Sequence, residues 1–66
     1  LAPLSDREAQ VLVDIARGRS LKQIAADMTL SLKTVDTYKT RAMKKLDLPD
    51  RAAVFTYASQ NGLLRQ

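Results

Sequence analysis

The sequence holds no cysteine, no histidine and no tryptophan. Without cysteine no disulfide can staple the chain, and without cysteine or histidine the usual nitrogen and sulfur ligand sets for zinc are excluded. Chemistry would have to rest on Asp, Glu, Lys, Tyr or Ser, and no two acids are paired in a way that suggests a cleft. An enzyme is therefore the least supported class. No apolar run approaches the roughly 20 residues of a membrane span, and no signal-peptide pattern opens the chain. Glycine and proline are scarce, two of each, and both glycines and one proline fall where helices would end or begin. What remains is a soluble, cytoplasmic module that calls for no cofactor. At 66 residues it makes one small domain, near the lower limit for a core that stands alone. So short a chain is expected to be a piece of something longer.

Charge is present, and it is unevenly placed. The stretch Ser31–Leu46, SLKTVDTYKTRAMKKL, carries Lys33, Lys39, Arg41, Lys44 and Lys45 against a single acid, Asp36. Elsewhere six cations meet six acids, so the formal net charge of +4 belongs to this stretch alone. Net charge by itself says only that anions are attracted. Its concentration on one element is closer to the footprint of a nucleic-acid reader.

Helix starts and stops follow one another along the chain. Ser5 with Glu8 and Ser20 with Gln23 fit capping boxes, Leu4 is placed as a staple residue, and Ser31 and Asp50 are further caps. Val11, Leu12, Ile15 and Ala16 give the first helix its apolar stripe, and Gly18 ends it. Leu21, Ile24, Ala25 and Met28 do the same for a short second helix. Pro49 separates the third helix, about 31–46, from a fourth, about 50–61, that Gly62 ends. The expectation is an all-α fold, a four-helix bundle with no strand. The gap between Met28 and Ser31 is so short that helices two and three must cross steeply, as in a helix-turn-helix, with Ala25 at their closest approach. Ile24, Met28, Leu30, Val35 and Tyr38 would share the core there.

At about 100° per residue, Val35, Tyr38, Ala42 and Leu46 fall in one sector of the third helix, with Met43 on its flank. Lys33, Thr37, Thr40 and Lys44 lie on the other side, within about 60° of one another. Asp36 and Arg41 border that strip. Threonine is a poor helix former on an exposed face but a good reader of bases, offering a hydroxyl to a base edge and a methyl to thymine. The strip matches the width of a major groove. Lys33 and Lys44 reach bases or phosphates, while Arg41, Lys45, the amides after Ser31 and Lys22 suit phosphates. A solvated basic face that binds nothing in particular would share much of this pattern.

Asp36 has two compatible readings. It pairs with Lys33, Lys39 or Thr40 at helical spacing, worth about 0.3 kcal/mol each. Alternatively it accepts from a cytosine amino group and repels phosphate, giving up general affinity for discrimination.

These residues, taken in order, resemble the LuxR/FixJ/GerE-type helix-turn-helix family of bacterial transcription regulators. LSDRE opens the pattern, IARG ends the first helix, and KQIAADM matches the scaffold helix. KTVDTYKTRAMKKL matches the recognition helix, and Asp50–Arg51 with the terminal NGLL complete it. The resemblance covers nearly the whole chain, so residues 1–66 are expected to form one such domain, the C-terminal part of a longer regulator with a receiver or sensing domain before it. TYKTR points to the response-regulator branch and hence to a two-component system. The resemblance implies binding to double-stranded DNA, with base readers at Asp36, Thr37 and Thr40, and with Lys33, Thr34 and Lys44 at the backbone or nearby bases. Departures are Asp36, where many members are basic or carry an amide, Tyr38 for histidine, Ala42 for a larger aliphatic, and Leu21 for a small polar residue.

In the fourth helix Ala53, Val54, Phe55, Tyr57 and Ala58 spread over more than half the circumference, Phe55 and Tyr57 pointing about 160° apart. One burial surface needs no such arc, although a small domain's generous core would also give it. In relatives this helix forms the dimer contact, which implies a homodimer on DNA through Val54, Phe55, Tyr57 and Ala58. The competing reading is a helical protein-interaction module docking on an acidic surface of RNA polymerase or another regulator. A third is the promoter-reading region of a sigma factor, which would lack the Asp50–Arg51 and NGLL landmarks.

Overall fold

Each helix begins on a residue whose side chain satisfies its open amides. In the computed structural model, which describes residues 3–64, these are α1 (Asp6–Ala16), α2 (Leu21–Met28), α3 (Leu32–Lys45) and α4 (Arg51–Gln60). No strand occurs among the described residues. Ser5 Oγ accepts from the Glu8 amide at 3.2 Å while Glu8 Oε1 accepts from the Ser5 amide at 3.0 Å. Ser20 and Gln23 repeat the exchange at 3.1 and 3.0 Å. Ser31 Oγ accepts from the Thr34 amide at 3.1 Å, and Asp50 Oδ1 from the Ala53 amide at 2.8 Å. Each cap is worth about 1 kcal/mol over alanine.

The four helices also stop in one way. Gly18, Thr29, Asp47 and Gly62 adopt positive φ, at 87°, 55°, 55° and 69°. The next residue's amide then donates back to a carbonyl in the last turn: Arg19 to Asp14, Leu30 to Ala25, Leu48 to Met43 and Leu63 to Ala58, at 2.8–3.1 Å. Three of these four closing residues are leucines packed against the core. The stop signal and the hydrophobic plug are thus the same short motif. The sequence pattern had pointed to glycine at two of these stops. Thr29 and Asp47 make the same turn with a Cβ in place.

The core is made of small and branched side chains. Val11 and Leu12 on α1, Ile24 on α2, Val35 and Ala42 on α3, and Val54 and Ala58 on α4 have no exposed surface. α1 is the central element, packing against each of the other three, and α2 packs against α3. Thr29, Leu30 and Ser31 make the short link of the helix-turn-helix, with Ala25 buried beside it. The radius of gyration, 10.7 Å, agrees with the value of about 10.8 Å expected for a compact chain of this length.

The expected dimer surface requires a correction. Val54 and Ala58 are fully buried, and Tyr57 is half-buried against the core. Val54 and Ala58 are interior residues of one copy, while Tyr57 keeps part of its surface open. Only Phe55, 54% exposed, stands out from the apolar arc of α4. The arc is wide because α4 lies over α1 with one side while Phe55 projects from another.

Candidate nucleic-acid interface

The burial of Val35 and Ala42 fixes how α3 is turned. Lys33, Asp36, Thr37, Thr40, Arg41 and Lys44 are all exposed, as the helical spacing requires. Thr34 is half-buried, and Lys22 is exposed in the first turn of α2. The structure therefore brings one cationic, hydroxyl-bearing strip to the surface.

Local bonds decide what each side chain offers. Thr37 Oγ1 donates to the Lys33 carbonyl at 3.0 Å. Its proton is directed into its own helix, so the oxygen's acceptor capacity and the methyl are left for a partner. Ser31 Oγ and Thr34 Oγ1 lie 2.8 Å apart. The Ser31 cap serves the Thr34 amide, which leaves the amides of Leu32 and Lys33 at the positive end of a 14-residue helix. Asp36 pairs with Lys39 at 3.6 Å. Of the three partners spacing allowed it, the contact falls on the one away from the strip, and Lys33 has no acidic partner among the described residues.

Lys45 is placed elsewhere. Its Nζ lies 2.8 Å from Oε1 of Glu8, a side chain only 4% exposed. Lys45, expected at a phosphate, is exposed and links the end of α3 to the first turn of α1. Glu8 is held below the ordinary carboxylate range, chiefly by the Lys45 hydrogen bond and next by the Ser5 amide, against burial, which raises it. Sequence reasoning assigned Glu8 to its capping box and missed this second role. The partners are 37 residues apart, beyond any helical spacing.

Two other features went unforeseen. Leu32 is 54% exposed at the start of α3. The Arg51 guanidinium donates to the Arg19 carbonyl at 2.8 Å, and Arg19 pairs with Asp27. Asp50–Arg51 therefore caps α4 and also ties it to the turn before α2. Among the described residues no three His, Cys, Asp or Glu side chains gather as a metal site, and no helix is long and apolar enough to cross a membrane.

The arrangement can hold a polyanion along α3 while presenting short polar and methyl groups between the cations. Comparison with known proteins points the same way. The family described as bacterial regulatory proteins, luxR family, matches residues 2–58. Over 63 residues, 96% of the chain, it is 44% identical to the virulence-factor transcription regulator BvgA of Bordetella pertussis, covering 30% of that protein. It is 38% identical over 61 residues to the transcriptional regulatory protein LiaR of Bacillus subtilis, 92% of this chain and 29% of that one. It is 36% identical over 62 residues to the response regulator protein VraR of Staphylococcus aureus, 94% of this chain and 30% of that one. The chain thus spans about 30% of the length of these curated relatives. No solved structure matches it.

Proposed function

The chain belongs to the luxR family of bacterial regulatory proteins, and from that premise we propose that it is the DNA-binding part of a longer regulator, with α3 lying in the major groove. The observation that carries this reading is the exposed strip of α3, where Lys33, Thr37, Thr40 and Lys44 share one face and the opposite face is buried. Asp36, Thr37, Thr40 and Lys33 meet base edges. Thr37, with its proton engaged, accepts from an adenine or cytosine amino group or packs its methyl on thymine. Lys22, Arg41, Lys44 and the α3 N-terminus at Ser31 and Thr34 meet phosphates.

Dimerisation on DNA is the second part of the reading. Phe55 supplies the apolar anchor, flanked by the exposed Ala52, Thr56 and Ser59 of α4, small residues that let a second copy of the helix approach. A two-fold pair of copies reads paired half-sites. A receiver or other sensing domain ahead of residue 1 accounts for the additional length of the relatives, and the whole acts in the cytoplasm, where bacterial DNA is.

The test is selection of duplexes from a randomised pool by the purified chain at moderate salt, with sequencing of the retained fraction. Enrichment of paired half-sites supports both parts. Retention without enrichment removes the base-reading assignment. No retention turns the reading to a protein-interaction module with Phe55 at its contact.

A further inference from the structure

Lys44 and Lys45 are neighbours at the end of α3, both exposed, yet among the described residues only Lys45 of the two has an acidic partner. The Lys45 ammonium is held at 2.8 Å by Glu8, whose Oε1 also accepts the Ser5 amide at 3.0 Å. A carboxylate this buried is costly to leave unpaired, and the first turn of α1 favours its negative charge. The pair joins the end of α3 to the first turn of α1.

Resting on the DNA-binding reading above, we propose that Glu8 sets the sequence discrimination of α3 by withdrawing the Lys45 charge from the phosphate backbone. Arg41 and Lys45 are one helical turn apart, and Arg41 borders the base-reading strip. A released Lys45 would add a cation beside Arg41, at the margin where phosphates run. Attraction to phosphate carries no sequence information, so the added charge would strengthen binding to every duplex alike. Glu8, remote from the strip in sequence, thereby favours contacts made by Thr37, Thr40 and Asp36 over indiscriminate ones.

The experiment is the salt dependence of binding to a random duplex, with helix content checked by circular dichroism for each variant. Lys44→Ala flattens the plot of log K against log salt by about 0.9. Lys45→Gln leaves the slope of the parent chain unchanged. Glu8→Gln steepens it by about 0.9, which raises random-duplex affinity several-fold at about 0.1 M salt and lowers the selected-to-random ratio by the same factor. The Glu8→Gln/Lys45→Gln double variant, with no buried charge left unpaired, returns to the parent slope even if either single variant folds poorly. A Lys45→Gln or double-variant slope flattened as much as that of Lys44→Ala overturns the proposal, because Lys45 then contacts phosphate. So does a Glu8→Gln chain that folds but binds selected and random duplexes equally more weakly. A parent chain that binds no duplex overturns the DNA-binding reading itself, and the proposal with it.

Discussion

Thr29 carries a β-branched side chain in the left-handed conformation, at φ 55°. That conformation costs an L-residue roughly 1–2 kcal/mol, while glycine there gives back about 0.4–1 kcal/mol through the freer unfolded chain. Thr29→Gly is therefore expected to stabilise the fold by up to about 1.5 kcal/mol, read as a higher urea midpoint at unchanged slope. Glu8 is the other residue with an outsized role. Its carboxyl is held low by Lys45 and Ser5, so its contribution is fully present above the ordinary glutamate value of 4.5 and is lost as pH falls through the lowered folded value. Thermal midpoints followed from neutral to acid should fall in that window for the parent chain. The Glu8→Gln chain should start lower and vary less there. Parallel curves would remove the Glu8–Lys45 pair from the account of acid stability. At this scale the caps were legible, because each rests on neighbours three residues apart. The Glu8–Lys45 link was not, because only the packing of α3 on α1 brings its partners together.

At the scale of the element, α3 and α4 differ in how well their faces could be read. α3 alternates a narrow buried stripe with a charged face, so helical spacing alone separates Val35 and Ala42 from Thr37 and Thr40. α4 has few charges to mark its outer side, and its apolar residues point almost everywhere. Which of them are interior depends on where α1 lies, and nothing local to 51–60 records that. The distinction is measurable. Val54→Ala, at a site with no exposure, should cost about 2 kcal/mol of stability. Phe55→Ser, at a half-exposed site, should leave the melting temperature nearly unchanged while reducing cooperative binding to paired half-sites. A Phe55→Ser chain that binds pairs as cooperatively as its parent would place the dimer contact elsewhere. The ends of α2 and α3 are a similar case. Thr29 and Asp47 end helices where glycine would be the local signal, and the leucine after each one, packed against the core, supplies the missing preference.

For the whole molecule, the four-helix fold and its order were legible because caps, stops and apolar spacing agree at every step. The placement of charge was legible too, since the excess of cations falls on one helix and that helix presents them outward. What the sequence pattern lacked was the pairing of Lys45 with Glu8, which leaves less unpaired charge on α3 than a count of its cations suggests. In the proposed function Thr37 and Thr40 read bases while Arg41 and Lys44 beside them hold phosphate. The most direct measurement compares the affinity of the parent, Thr37→Ala and Thr40→Ala chains for a selected duplex and for a scrambled one. Each alanine is expected to lower the selected-to-scrambled preference by about 1–3 kcal/mol and to leave scrambled binding unchanged. Equal losses on both duplexes, or no loss on either, would contradict it.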